Sequence, residues 1–267
     1  MSESPRLLAL DFDGVLCDGR PEYFETARRA YAAAWPGAEV GRAAAMAREF
    51  AAARPLVESG WEMPLLLHAL VTRVPDAELV DRDAWRATAR RLLEHAPVDA
   101  ERLARALNAA RDAWFAADPK DWLAHHVFYP HVGECVLHAL DDGVGVVVVT
   151  TKAERFARAL LAAQNPRLIT LPIVGREPDR TVPKPESLLR LAREHGLPSD
   201  ARGLWFVEDM LETLELVRGT PGLGAARLFL AGWGYNTLEQ RAIVGGAGPI
   251  RLLSLRDVAG QLVDWTR

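Results

Sequence analysis

Two patterns of apolar and polar positions divide the chain. Near the start, Leu7-Leu8-Ala9-Leu10 is apolar at every position and stops abruptly at Asp11. A short run without polar alternation predicts a strand buried on both faces, as in a parallel sheet. After Leu16 the spacing becomes helical and stays so up to the approach of Pro130. Helices are predicted over 21–35, 41–53, 61–74, 82–94 and 99–115, with 122–129 leading back. Pro21 suits a first helical turn and Asp99 an N-cap. Pro36-Gly37, Arg54-Pro55, Pro75 and Pro97 supply the breaks. Trp35, Trp85 and Trp114 read as core residues of this segment.

From Pro130 strands and helices alternate. Strands are predicted at 144–149, 168–174, 203–207 and 227–231, with an edge strand at 250–255. Between them fall helices over 132–140, 151–164, 186–195 and 210–217, with a last one over 257–265. Thr237-Leu238-Glu239-Gln240 has the form of a capping box and opens another helix. Alternation of this kind predicts an α/β fold: a Rossmann-like parallel sheet with helices on both faces. The helical segment sits inside it as an insertion after the first strand. The expected organisation is a discontinuous core of residues 1–17 and 127–267 and an α-helical domain over 18–126.

Composition narrows the function classes. The chain has 267 residues, 49% hydrophobic and 25% charged, with a net charge of −4. That balance suggests neither a nucleic-acid surface nor a polybasic membrane surface. No apolar run approaches the roughly 18 residues of a membrane span, and Met1-Ser2-Glu3-Ser4-Pro5 lacks a signal-peptide pattern. The two cysteines, Cys17 and Cys135, are far apart, which argues against a disulfide framework or zinc cluster and fits a reducing cytoplasm. The expected partner is a small molecule, and the expected state a monomer or homodimer.

The chemistry gathers at predicted strand ends. Asp11 and Asp13, spaced i, i+2 and followed by Gly14, fall at the carboxyl end of the first strand, where open α/β sheets bind ligands. An Asp-Gly turn without function is the plain alternative. Thr150 ends the run Val146–Val149 beside a helix N-terminus, a ready anion site, while Thr151 with Glu154 has capping-box form. In Thr181-Val182-Pro183-Lys184-Pro185, Lys184 precedes a helix whose dipole opposes it, a cost that a bound anion would reverse. Glu208-Asp209 ends another strand, and Asp209 with Glu212 also has capping-box form. Together with Asp11 and Asp13 these carboxylates would make an oxygen-rich cluster suited to magnesium. In the loop Gly232-Trp233-Gly234-Tyr235-Asn236, at the same pole, the residues enter the next helix or line the rim of the site.

In order along the chain, Asp11-Phe12-Asp13-Gly14-Val15, Thr150, Lys184 before Pro185, and Glu208-Asp209 resemble the four motifs of the haloacid dehalogenase superfamily. The helical insertion resembles that superfamily's cap. Thr150-Thr151-Lys152 is similar to the second-motif region of phosphoglycolate-phosphatase-like members, which sets Thr151 and Lys152 among substrate-binding residues. The resemblance implies a Mg2+-dependent phosphatase that hydrolyses a small phosphorylated metabolite through an aspartyl-phosphate. Asp11 would be the nucleophile and Asp13 the general acid and base. Thr150 and Lys184 would hold the phosphoryl oxygens. Magnesium would bind Asp11, the Asp13 carbonyl and Asp209, with Glu208 as the other candidate ligand. Arg54, in the cap, would grip a second anionic group of the substrate or stand solvated. Asp13 argues for phosphate chemistry, since the superfamily's dehalogenases lack that aspartate. Three positions depart from the pattern: Glu208 where Gly is frequent, Thr213 where a further Asp is frequent, and Gly19 where many relatives have Ser. A phosphomutase of the same superfamily and a non-catalytic phosphometabolite-binding module are the alternatives.

Overall fold

Strand β1 (Leu7–Leu10) lies inside a six-stranded sheet because both its faces are apolar, and all four of its residues are buried. The computed structural model describes residues 4–176, 182–246 and 248–266. Thr181, which opens the Pro-Lys-Pro stretch, lies outside the described residues. By contacts the chain forms two compact units, one of residues 1–18 and 127–267 and the other of residues 19–126.

In the first unit β1 is followed by β2 (Cys17–Asp18), which pairs antiparallel with β3 (Val127–Phe128) in a small separate ladder. The main sheet continues with β4 (Gly145–Ala153), β5 (Ile173–Arg176), β6 (Leu204–Glu208), β7 (Arg227–Ala231) and β8 (Ile250–Leu253). Its order is β5-β4-β1-β6-β7-β8, with every neighbouring pair parallel. The chain builds outward from β1 to β4 and β5, then returns to build the other side from β6. That reversal makes β1 the switch point, and the crevice at its carboxyl end is where such sheets take ligands.

Alternate residues of each strand serve opposite faces. Leu7 and Ala9 join Val147, Val149, Leu204 and Phe206 in one core layer with the helices Lys184–Glu194 and Leu211–Arg218. Leu8 and Leu10 face Val132, Val136 and Trp265 on the other side. Each such aliphatic side chain contributes about 1.5–3 kcal/mol by leaving water. The register pairs Leu10 with both Val148 and Val207, so Asp11 comes level with the residues that follow them.

The second unit is helical, and its longer helices start as the sequence predicts. Pro21 sits in the first turn of Arg20–Ala34. Asp81 and Asp99 cap Arg82–His95 and Ala100–Ala117, accepting from the Ala84 and Arg102 amides at 2.8 and 2.7 Å. The stretch expected as one helix over 41–53 is two, Val40–Ala44 and Ala47–Ala53. Alanine lowers the cost of helix there, but Ala43 and Phe50 are the buried residues of the pair, too few to hold one straight helix. Trp85 and Trp114 are buried, and Trp35 stacks on His68 at 4.5 Å.

Other expectations need correction. Thr151 does not open a helix: β4 runs on to Ala153 and the helix begins at Glu154 with no side-chain cap. After a register shift Ala153 pairs with Arg176, and the ladder captures these residues. Gly175 allows it, since a Cβ there would stand 2.9 Å from the Lys152 carbonyl oxygen. The strand expected over 168–174 is a 3₁₀ turn, Pro166–Thr170, and then β5, split where Pro172 has no N–H to give. Asp209 caps nothing, because its helix begins at Leu211. The closing helix is a short one, Leu255–Val258, and a 3₁₀ turn, Leu262–Thr266, with Gly260 between them. Arg54 does not stand solvated. It is 8% exposed, donates from Nη1 to the Val57 carbonyl at 2.9 Å, and lies 5.1 Å from the centre of the Tyr23 ring. Among the described residues no helix is long and apolar enough to cross a membrane.

Candidate active site

The site is assembled within the α/β unit from the carboxyl ends of β1, β4 and β6 and the first residue of the helix Lys184–Glu194. Asp11 leaves β1 with its amide donating 3.0 Å to the Val207 carbonyl, which keeps it in strand direction beside β6. Gly14 then turns the chain with φ +84°, a conformation that disfavours a side chain. A Cβ at Gly14 would also meet Asp209 Oδ2 at 2.0 Å. Glycine is therefore required there for space as well as for geometry.

Lys184 is the first residue of its helix, with Pro183 before it and Pro185 after it. Its Nζ lies 2.9 Å from Asp11 Oδ1 and donates to Glu208 Oε2 at 2.6 Å. Glu208 is completely buried, and its Oε1 accepts from the Asp209 and Met210 amides, both at 3.2 Å. Asp209, 1% exposed, accepts from the Tyr235 amide at 2.7 Å through Oδ2. Carboxylate oxygens of Asp11, Glu208 and Asp209 all lie within 4.8 Å of one another.

Burial dominates the electrostatics. It pushes Asp11 up to about 7, with Lys184 opposing and the Glu208 and Asp13 charges adding to the rise. It pushes Glu208 to about 7 as well, against Lys184 and with help from Asp209. Burial works to lower Lys184, but its two carboxylate partners outweigh it and hold the ammonium above the ordinary lysine value. Three buried carboxylates, two of them on one ammonium, form an oxygen donor set of the kind that hard divalent cations take. The residues present fit such an ion.

A second charge pair stands beside this cluster. Lys152, 8% exposed, brings its Nζ to 3.1 Å from Asp13 Oδ1. Thr150 Oγ1 accepts from the Lys152 amide at 3.1 Å. Thr150 is buried and Thr151 exposed, so the extension of β4 turns the middle residue away. Lys152, expected on the substrate, lies on Asp13. The loop after β7, read from the sequence as helix entry or rim of the site, also packs against Asp209, a contact that no local pattern in the sequence marked. A Cβ at Gly234 would stand 2.3 Å from Asp209 Cβ, so the loop backbone presses directly on that residue.

Residues 5–212 match the family model of the haloacid dehalogenase-like hydrolase, and the chain belongs to that family. Solved structures share the fold at low identity. A protein provisionally described as a phosphoglycolate phosphatase, from Lactobacillus delbrueckii subsp. bulgaricus, is 13% identical with TM-score 0.63, covering 96% of this chain and 99% of its own. One provisionally described as a phosphatase, from Clostridium difficile, is 12% identical with TM-score 0.61, covering 97% and 100%. One provisionally described as a beta-phosphoglucomutase, from Thermotoga maritima, is 16% identical with TM-score 0.52, covering 95% and 96%. Comparison with curated proteins gives no match.

Proposed function

We propose that this hydrolase is a magnesium-dependent phosphatase acting on a small phosphorylated metabolite through an aspartyl-phosphate. The observation that carries the reading is the contrast between two carboxylates two residues apart. Asp11 is buried against Lys184 and Glu208, whereas the Asp13 side chain keeps 17% of its exposure beside Lys152. Lys184 opposes the rise that burial causes at Asp11 and favours the carboxylate a nucleophile needs, while Asp13 stands apart on Lys152 for acid–base work.

In the first step an Asp11 carboxylate oxygen attacks phosphorus and the P–O bond to the leaving group breaks. Asp13 donates its proton to the departing alkoxide. In the second step Asp13 takes a proton from water, whose oxygen attacks the acyl phosphate and releases Asp11 and inorganic phosphate. Thr150 and Lys184 hold the phosphoryl oxygens. Lys152 orients Asp13 rather than the substrate. Asp11, the Asp13 carbonyl and Asp209 would hold magnesium, which when bound offsets charge so that a phosphate dianion can approach. Glu208, with both oxygens taken by amides and Lys184, anchors the lysine. Arg54, held by the Val57 carbonyl and the Tyr23 ring, is the residue of the helical unit that would meet a second anionic group of the substrate. The helical unit serves as the cap that selects the substrate. The free, buried Cys17 and Cys135 support assignment to a reducing cytoplasm.

The test is phosphate release from sugar phosphates, nucleotides, phosphoglycolate and an aryl phosphate, with magnesium, with chelator and with Asp11→Asn. Release that needs magnesium and vanishes in the variant is expected. Undiminished release by the variant would overturn the aspartyl-phosphate. Phosphate appearing on a sugar instead of in solution would make the enzyme a mutase.

A further inference from the structure

Asp209 follows β6 among carboxylates that repel it, and the helix after it has no side-chain cap. It is held from another element, the loop between β7 and the helix Leu238–Val244. Tyr235 donates its amide to Asp209 Oδ2, and Asn236 grips the main chain: its Nδ2 donates to the Asp209 carbonyl at 3.0 Å and to the Ala231 carbonyl at 2.8 Å. Asn236 is 1% exposed, so both amide hydrogens are committed inside the protein. Its Oδ1 accepts from Arg241 Nε at 2.6 Å, and its carbonyl from Arg241 Nη2 at 3.0 Å. The amide therefore cannot flip without losing all three side-chain bonds. Helix Leu238–Val244 is tied in turn to the helix after Asp209, Gln240 Nε2 donating to Glu212 Oε1 at 2.8 Å.

We propose that Asn236, oriented by Arg241, is a positioning residue that sets magnesium affinity by fixing Asp209. The proposal rests on the reading that Asp209 ligates the cation. Groups behind a ligand normally govern metal affinity by about 10–100-fold. Neither residue touches substrate in this scheme; both act through Asp209.

The experiment is calorimetric titration of the whole protein with Mg2+ alone, alongside the rise in Tm that Mg2+ produces. Asn236→Ala is expected to weaken binding about tenfold or more, and Arg241→Ala by a smaller factor, with Arg241→Lys recovering part of the loss. Val258→Ala, a core truncation in the same unit, lowers Tm but leaves Mg2+ affinity at the wild-type value. Should Asn236→Ala fail to fold, the partly exposed Arg241 carries the test. Wild-type affinity in the position-236 and position-241 variants, with loss in Asp209→Asn, overturns the positioning role while sparing the metal reading. Wild-type affinity in Asp209→Asn overturns both. Equal weakening by Val258→Ala also overturns the proposal, since general loosening would then explain the effect.

Discussion

Both units bury charge, and they use it in opposite ways. In the helical unit the buried carboxylates Glu22 and Glu62 are answered by their own donors, and Arg82 by a carbonyl acceptor. Glu22, fully buried, accepts from Arg111 Nε at 2.8 Å and from Thr26 Oγ1 at 2.5 Å. Glu62 accepts from Trp85 Nε1 at 2.7 Å and from the Ser59 amide at 3.0 Å. Arg82 donates to the Pro55 carbonyl at 2.8 Å. In the α/β unit, by contrast, Asp11, Glu208 and Asp209 converge on one another, with Lys184 shared by the first two. A raised carboxyl alone does not separate the two cases, because burial raises Glu62 as it raises Asp11. Convergence of like charges does. Such a cluster is costly to keep unless a ligand answers it, which is why perturbed groups of this kind mark functional sites.

Five measurements would break or sharpen that comparison. The largest effect is expected from Asp11→Asn, a fall in kcat of at least about 10³-fold, with Tm at or above wild type because a buried charge is removed. A destabilised, fully active variant would erase the distinction between the units. Lys184→Met should abolish activity and, without metal, cost roughly 3–5 kcal/mol at neutral pH by leaving two carboxylates uncompensated. The pH dependence has a definite sign. Burial holds Asp11 and Glu208 at about 7 when folded, against about 4 when unfolded. Between these values the folded state binds more protons, so stability in chelator falls as pH rises and is lowest above about 7. Denaturant midpoints from pH 5 to 8 should show this slope, and magnesium should flatten it. A flat profile in chelator would contradict the buried cluster.

Within the helical unit, Arg111→Met should cost about 3–5 kcal/mol by stranding Glu22, read as a loss of Tm, while the magnesium affinity of the protein stays at wild type. A loss of magnesium affinity there would show that this pair is not purely structural. The smallest effect belongs to Thr151→Ala, within about 0.5 kcal/mol, because the residue is exposed and caps no helix. Thr150→Ala, one residue earlier and buried, should instead reduce kcat/KM about 10-fold or more. Equal outcomes at the two positions would refute the inward and outward facing of β4.

How far the site was legible follows from the range of each interaction. The strand at Arg227–Ala231 and the capping box at Thr237 and Gln240 form as read, since neighbours in sequence decide them. The placement of Asp11, Lys184 and Glu208 at one pole of the sheet follows from strand ends and parallel alternation. The same local reading favoured Thr151 as a cap, and it offered a cap as the plain alternative to metal binding at Asp209. A capping box is a local preference, and pairing with β5 and contact with the loop after β7 overrode it. Lys152 was set among substrate-binding residues by the resemblance of Thr150-Thr151-Lys152 to a family motif, and a motif says nothing of the shift in register beside which its Nζ meets Asp13.

By itself, then, the sequence determined the alternation that makes a parallel sheet, the helical insertion, and which strand ends carry acids, a threonine and a lysine. Those features depend on periodicity and on residues a few positions apart. Tertiary structure alone decided which donor answers which carboxylate: Lys184 bridging Asp11 and Glu208, Lys152 on Asp13, and Asn236 behind Asp209. These partners are separated by tens of residues or more. Their pairing is set by sheet order, by the close approaches that Gly14 and Gly234 permit, and by the cost of leaving any buried charge unanswered.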